Sequence, residues 1–246
     1  MRVLALDSTT RAGSVALVEH DRVLYEASGD PSRSHAQRLP GELIAVLDQA
    51  GLTPAAVDVF AVTAGPGSFT GLRIGIATIQ GLALATGRPV VAASGLELVA
   101  IAGAAAWPPG TLVAAWIDAL RGDVFSALYR RGALPTFHPG HLIELDPPRV
   151  ERPEVVTARW KASHGLPQVI AGDGAQLYAT PVALGVAVVA MPRLAGILGQ
   201  WASARAREGA AVHPAAVQPV YVRRPDAEIA RERAEATRSR PDGRSA

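Results

Sequence analysis

One pattern, present twice, constrains this chain more than any other feature. Arg2 to Asp7 is a run of β-type apolar residues ending on a carboxylate; the turn Ser8-Thr9-Thr10 follows, then a second strand-like run from Gly13 to Glu19. Leu112 to Asp118 is again apolar and ends on a carboxylate; the turn Leu120 to Asp123 leads into Val124 to Tyr129. Strand-length runs joined by short polar turns make antiparallel hairpins. In the first half His20-Asp21 turns the chain once more, into Val23 to Ala27, so that half opens as a three-stranded meander. Trp107-Pro108-Pro109-Gly110 separates the two halves, because proline has no N–H and its ring clashes with the preceding turn of a helix. The predicted organisation is residues 1–106, then 107–224, then a charged tail over 225–246.

Helices alternate with these strands. Leu39, Leu43, Val46 and Leu47 recur at helical spacing and predict a helix from Ser34 to Ala50, with Gly51 as its stop. Pro40 lies inside that span and predicts a kink or a later start. Val57 to Val62 is a buried strand, Gly65 to Gly71 a glycine-rich turn, and a helix runs on to Ala85. A short strand from Val90 to Ala92 and a helix from Gly95 to Ala106 complete the first half. In the second half, Pro135 to Pro153 is proline-rich and reads as an irregular excursion. Gln168 to Ala171 is a strand closed by Gly172-Asp173-Gly174. Pro192 to Glu208 is a helix with Leu194, Ile197, Leu198 and Trp201 on one face, assigned to the second lobe.

Composition narrows the function classes. Hydrophobic residues make up 49% of the 246 and the formal net charge is +2. A nucleic-acid binder concentrates basic residues on one face, whereas here the basic excess sits from Arg223 onward. Strong tRNA binding by this chain alone is not expected. Without cysteine there is no disulfide, thiolate metal site or cysteine nucleophile. The opening run lacks the secretory pattern, and the long apolar stretch Val90 to Trp107 is broken by Gly95 and Glu97, so a cytoplasmic protein with no membrane span is expected.

Two motifs carry candidate chemistry. Asp7 at a strand end, with hydroxyls at Ser8, Thr9 and Thr10, is a candidate turn for a hydrated magnesium and a phosphate, since magnesium takes one or two carboxylates together with waters and phosphate oxygens. A carboxylate that merely caps its own turn is the other reading. The turn Gly65-Pro66-Gly67-Ser68-Phe69-Thr70-Gly71 leads into a helix whose free N–H groups favour anions. It lacks the Gly-Lys-Ser/Thr ending of a phosphate loop, and Lys161, the only lysine, is far away. Phosphate cradle and structural strand-to-helix turn both remain open. In the helix itself, Gly71, Gly75 and Thr78 form a strip of small residues flanked by Leu72, Ile76 and Ile79. Interior helical glycines cost roughly 1 kcal/mol each relative to alanine, so the strip implies close backbone approach, either within the fold or from a second subunit. On the intersubunit reading, Gly75→Trp spares the fold and abolishes partner binding. None of the six histidines (His20, His35, His138, His141, His164, His213) forms a helical metal pair, and no nucleophile elbow occurs.

Five blocks, in this order, resemble the TsaB (YeaZ) family: Ala5 to Thr10, Ser34 to Pro40, Ala64 to Gly75, Trp116 to Phe125, and Pro219 to Arg223. The most specific is Gly-Pro-Gly-Ser-Phe-Thr-Gly-Leu-Arg-Ile-Gly at Gly65 to Gly75. The resemblance covers roughly residues 1 to 224 and implies an actin/Hsp70/hexokinase-like (ASKHA) α/β fold of two lobes, with mixed sheets flanked by helices. It implies a non-catalytic subunit that acts with a TsaD-like catalytic paralogue and a TsaE-like ATPase. In that system threonylcarbamoyl is transferred to the adenosine beside the anticodon of tRNAs reading A-starting codons. ATP and magnesium belong to the complex, this chain requires no cofactor, tRNA is met only through the complex, and a homodimer forms when the partner is absent. The implied partner interface is built from the helices Ser34 to Ala50 and Ser68 to Ala85, with His35, Leu39, Leu43, Leu72, Arg73, Gly75, Ile76 and Ile79. Leu120 stands where the family usually has a basic residue, and Gln37 where glutamate is common. The competing expectations are a small-molecule kinase of the same superfold, using Asp7 and the Ser8–Thr10 turn on ATP, and a glycoprotease, for which the chain offers neither metal pair nor nucleophile set.

Overall fold

The computed structural model describes residues 1–178 and 185–223. The alternation of apolar runs produces two five-stranded mixed sheets. The first contains β1 (Arg2–Asp7), β2 (Ser14–Glu19), β3 (Arg22–Ser28), β4 (Val59–Gly65) and β5 (Val90–Ser94), in the order β3-β2-β1-β4-β5. The second contains β6 (Leu112–Asp118), β7 (Val124–Arg131), β8 (Leu142–Glu151), β9 (Val169–Ala171) and β10 (Ala187–Val189), in the order β10-β9-β6-β7-β8. Read from β8 to β10, the second sheet repeats the first strand for strand: an antiparallel meander, then two parallel additions.

The helices repeat with the strands. α1 (His35–Gln49), α2 (Phe69–Thr86) and α3 (Gly95–Ala104) follow β3, β4 and β5; α4 (Pro153–Ser163), α5 (Asp173–Tyr178) and α6 (Leu194–Arg207) follow β8, β9 and β10. Period-2 alternation sorts the strand residues between layers. On β1, Leu4 and Leu6 point outward to α1 and α2, joining Leu39, Leu43, Leu47, Ile76 and Ile79 in one core. Val3 and Ala5 point inward, to a core that holds α3 and α6 between the sheets with Val99, Leu198, Val113, Ala115 and Ala127. Trp116, Trp160, Val156 and Ala175 fill the outer side of the second sheet. Small residues set the close spacing of the middle layer. A Cβ on Gly199 of α6 would lie 2.5 Å from Val18 Cγ2, and one on Gly103 of α3 would lie 2.7 Å from Ala171 Cβ.

Three sequence expectations change. Pro135 to Pro153 is not irregular throughout, because it contains β8. Strand β8 is at the sheet edge, where proline's missing N–H breaks no central ladder, and its register slips between Asp146 and Arg149, where Pro147 and Pro148 sit. α6 does not cap the second lobe; it packs on β1 and β2, with Ala195 N–H donating to Ser14 Oγ at 3.0 Å. The chain after α6 also returns to the first sheet, where Val212 pairs with Val90 and Val220 N–H donates to the Ala64 carbonyl at 2.7 Å. The helix at Pro40 is continuous from His35, with Gln37 Oε1 accepting from Ser34 N–H at 3.2 Å. The charged tail expected over 225–246 lies outside the described residues.

Candidate functional site: a closed turn and an open helical face

The strand-end carboxylate is sealed inside the fold. Asp7 is 2% exposed, Ser8 0% and Thr9 3%. Asp7 Oδ1 accepts from Thr9 N–H at 3.1 Å, Thr9 Oγ1 at 2.7 Å and Thr63 Oγ1 at 2.8 Å. Burial pushes the Asp7 carboxyl above its usual range; the hydrogen bonds from Thr9 and Thr63 oppose that rise. The glycine turn closes over the hairpin turn. Ser68 N–H donates to the Thr9 carbonyl at 2.9 Å, and a Cβ on Gly67 would lie 2.7 Å from Thr9 Cβ. One on Gly71 would overlap the Ser8 carbonyl oxygen. The structural reading of both motifs fits this geometry: Gly67 and Gly71 lie packed against Ser8 and Thr9, and a phosphate has no room among them, while Gly65 abuts the Val220 carbonyl and the cavity described below. Thr10 is half-buried; its Oγ1 accepts from Gly13 N–H at 3.1 Å. Ser68 caps α2, its Oγ accepting from Gly71 N–H at 3.2 Å.

The same packing corrects the intersubunit assignment of several residues. A Cβ on Gly75 would overlap Ser8 Oγ and lie 2.9 Å from Ser8 Cβ, so the Gly71/Gly75 strip faces this chain's own hairpin turn. Gly75→Trp would wreck that packing, and the expectation that it spares the fold is overturned. Leu39, Leu43, Leu72, Ile76 and Ile79 are at most 4% exposed and face the core. They orient the two helices and cannot touch a partner. His35 is half-buried, donating from Nε2 to the Thr10 carbonyl at 3.1 Å, and burial lowers its pKa. Arg73 is exposed but engaged: its guanidinium lies 3.9 Å from the Phe69 ring centroid, and Nε donates to Tyr221 Oη at 2.7 Å.

What α1 and α2 present outward is a different set of residues. α2 has a mean hydropathy of 1.2 over its 18 residues, yet only 33% of it is buried, and it is the one described helix long and apolar enough to cross a membrane. Its inner face is core; its outer face exposes Ala77, Gly81, Leu84 and Ala85. α1 adds Pro40, Gly41, Ile44 and Ala45. Leu84 is 55% exposed and Ile44 38%. Gly41 and Gly81 sit in helix interiors, where a Cβ would meet nothing within 4 Å. Unlike Gly71 and Gly75, nothing in this chain requires them to be glycine. The residues that sequence reasoning assigned to an interface on these helices are mostly core-facing. The signal for the outer face was available as Gly41 and Gly81, lying off the periodic leucine and isoleucine stripe.

A cavity of about 600 Å³ opens between the lobes, with Gly65, Ser94, Glu97, Tyr129, Glu144 and Gln218 among its walls. Its ionisable side chains are acidic or phenolic, and no arginine or lysine lines it. That is the wrong polarity for a nucleotide triphosphate. Asp173, in the Gly172-Asp173-Gly174 turn, accepts from the backbone N–H of Asp118 at 2.9 Å and of Gly174 at 2.8 Å, so its carboxylate braces the β6 end. Leu120 is 67% exposed in the β6–β7 turn. Among the described residues no group of three His, Asp or Glu side chains has metal-site geometry.

Comparison with known proteins adds the relationship. The family model TsaD: tRNA N6-adenosine threonylcarbamoyltransferase matches residues 29–134. The chain is 37% identical over 167 residues to the tRNA threonylcarbamoyladenosine biosynthesis protein TsaB of Escherichia coli strain K12, covering 67% of this chain and 68% of that protein. It is 31% identical over 130 residues to the Bacillus subtilis protein of the same name, covering 53% and 56%. The crystal structure of YeaZ from Pseudomonas aeruginosa superposes with a TM-score of 0.72 at 35% identity, over 89% of this chain and 99% of that one. The (R)-2-hydroxyglutaryl-CoA dehydratase component A of Acidaminococcus fermentans, at 12% identity and a TM-score of 0.51, shares the fold alone. Two duplicated mixed sheets with flanking helices make this an actin/Hsp70/hexokinase-like fold, and by sequence identity and superposition together the chain belongs to the TsaB (YeaZ) family.

Proposed function

We propose that this chain is the non-catalytic, scaffolding and activating subunit of a tRNA threonylcarbamoyl transferase. It docks through the outer face of α1 and α2 onto a TsaD-like catalytic paralogue and works with a TsaE-like ATPase. The complex, in the cytoplasm, attaches threonylcarbamoyl to the adenosine beside the anticodon of tRNAs reading A-starting codons. ATP and magnesium serve the complex, and tRNA is contacted through it.

The observation that carries this reading is the outer helical face. Gly41, Gly81 and the small residues around them leave two backbones open to close approach, with Ile44 and Leu84 exposed beside them. An apolar face of this kind marks a protein interface. A TsaD-like occupant is supported by the family model, whose matched span includes both α1 and α2. A catalytic paralogue of that family brings the same helix pair, so like packs on like around a near two-fold axis, and a second copy of this chain fills the same place when the paralogue is absent. The kinase reading has less support: the Asp7 turn is buried and internally hydrogen-bonded, and the cleft is lined by acids.

The test is a drop-out assay. The adenylate-forming enzyme, the TsaD-like and TsaE-like proteins, tRNA, threonine, bicarbonate and ATP are combined with and without this chain, and threonylcarbamoyladenosine is measured by mass spectrometry. Modification should require the chain. Equal modification without it removes the subunit reading and makes ATP-dependent phosphorylation of a small molecule the next assay.

A further inference from the structure

The interlobe cavity has no role in the docking reading, yet its chemistry is specific. Tyr129 on β7 is 4% exposed and lines the cavity, and its hydroxyl makes no hydrogen bond among the described residues. That hydroxyl is therefore left to partners within the cavity. Glu144 stands directly across the β7–β8 ladder from Tyr129, on the same face. Glu97, in the first turn of α3, also lines the cavity. Its Oε1 accepts from Trp201 Nε1 at 3.3 Å. Ala64, Ala93, Leu142, Val217 and Val220 supply apolar walls between these polar groups. Arg205 on α6 acts on Glu97 electrostatically but is not a cavity wall.

We infer that this cleft is a binding site for a small organic cation, an alkyl ammonium or guanidinium group. The charged end sits between Glu97 and Glu144 and donates to the Tyr129 oxygen, while the alkyl stem lies on the apolar walls. Two carboxylates facing a cavity of about 600 Å³ without a lining cation repel phosphates and attract the opposite charge. The inference is independent of partner docking, because none of these residues is on the outer face of α1 or α2. A second consequence concerns protons. Burial, with Glu144 adding to it, holds the Glu97 carboxyl above its usual range, against Trp201 and Arg205. A bound cation favours ionised Glu97, so binding releases protons and tightens as pH rises.

The experiment is calorimetric titration of the full chain with butylammonium, with ATP and with the uncharged analogue butanol, in two buffers of different ionisation enthalpy. Butylammonium should bind at millimolar concentration or better, with proton release seen as a buffer-dependent heat; ATP and butanol should not bind. Tyr129→Phe keeps the packing and should weaken butylammonium about tenfold, as expected for a hydrogen bond to a charged donor. Glu97→Gln keeps an acceptor for Trp201, and should weaken binding and abolish proton release. No butylammonium heat, or affinity unchanged in both variants with the melting temperature preserved, overturns the inference. Binding of ATP in preference to butylammonium overturns it as well, and returns the cleft to nucleotide chemistry.

Discussion

Replacing Gly81 with tryptophan separates the two helical faces. On the isolated chain the change should be harmless: a Cβ there meets nothing within 4 Å, and Gly81 is exposed. Tryptophan is a better helix former than glycine by roughly 0.5 kcal/mol. At about 2–4 °C per kcal/mol for a chain of this size, the melting temperature should hold or rise by about 1–2 °C. On partner binding the effect should be large, because a bulky ring stands where two backbones must approach. Losses at the centre of an interface run to about 2–4 kcal/mol, which is about 30- to 1,000-fold in Kd. The assay is calorimetric or surface-based titration against the TsaD-like protein, with circular dichroism melts of each variant alone. A preserved melt with Kd unchanged within measurement scatter would refute docking on this face. A collapsed melt would contradict the open geometry at Gly81.

Other perturbations read the interior. Gly75→Ala should destabilise by about 1–3 kcal/mol through overlap with Ser8, whereas Gly41→Ala should stabilise by about 0.5–1 kcal/mol; thermal melts that rank them the other way contradict the assignment of faces. Asp7 has a folded pKa raised by burial, so its ionisation costs stability. That cost is absent below the unfolded value of about 3.9 and grows as pH rises through the raised folded value. The melting temperature of Asp7→Asn minus that of the natural protein should therefore be larger at neutral pH than near pH 4, and a pH-independent difference argues against a costly ionised Asp7. Tyr221→Ala removes the tilted ring contact with Phe69 and the bond to Arg73 at an exposed site; it should cost at most about 1 kcal/mol in a melt, and a larger loss would contradict that small contribution.

Much of the architecture was legible in the chain. The strand–carboxylate–turn–strand pattern at Asp7 and at Asp118 marks the start of each sheet, and the leucine spacing in α1 marks its buried stripe. Family-specific blocks supplied the fold class. β8 was hidden because Pro147 and Pro148 look like breakers, and only its place at the sheet edge makes them tolerable. α6 was assigned to the wrong lobe because sequence order does not say across which sheet a helix folds back.

The site divided along the same line. Sequence by itself determined that the glycines at 71 and 75 imply close approach and that Asp7 sits among hydroxyls. Only tertiary structure decided what each glycine faces: Ser8 of the same chain for Gly71 and Gly75, open space for Gly81. Helical periodicity fixes which residues share a face but not which side of that face is already occupied. That depends on the strands the helix lies on, and β1 delivers the Ser8 turn against one side of α2 while leaving the other side bare.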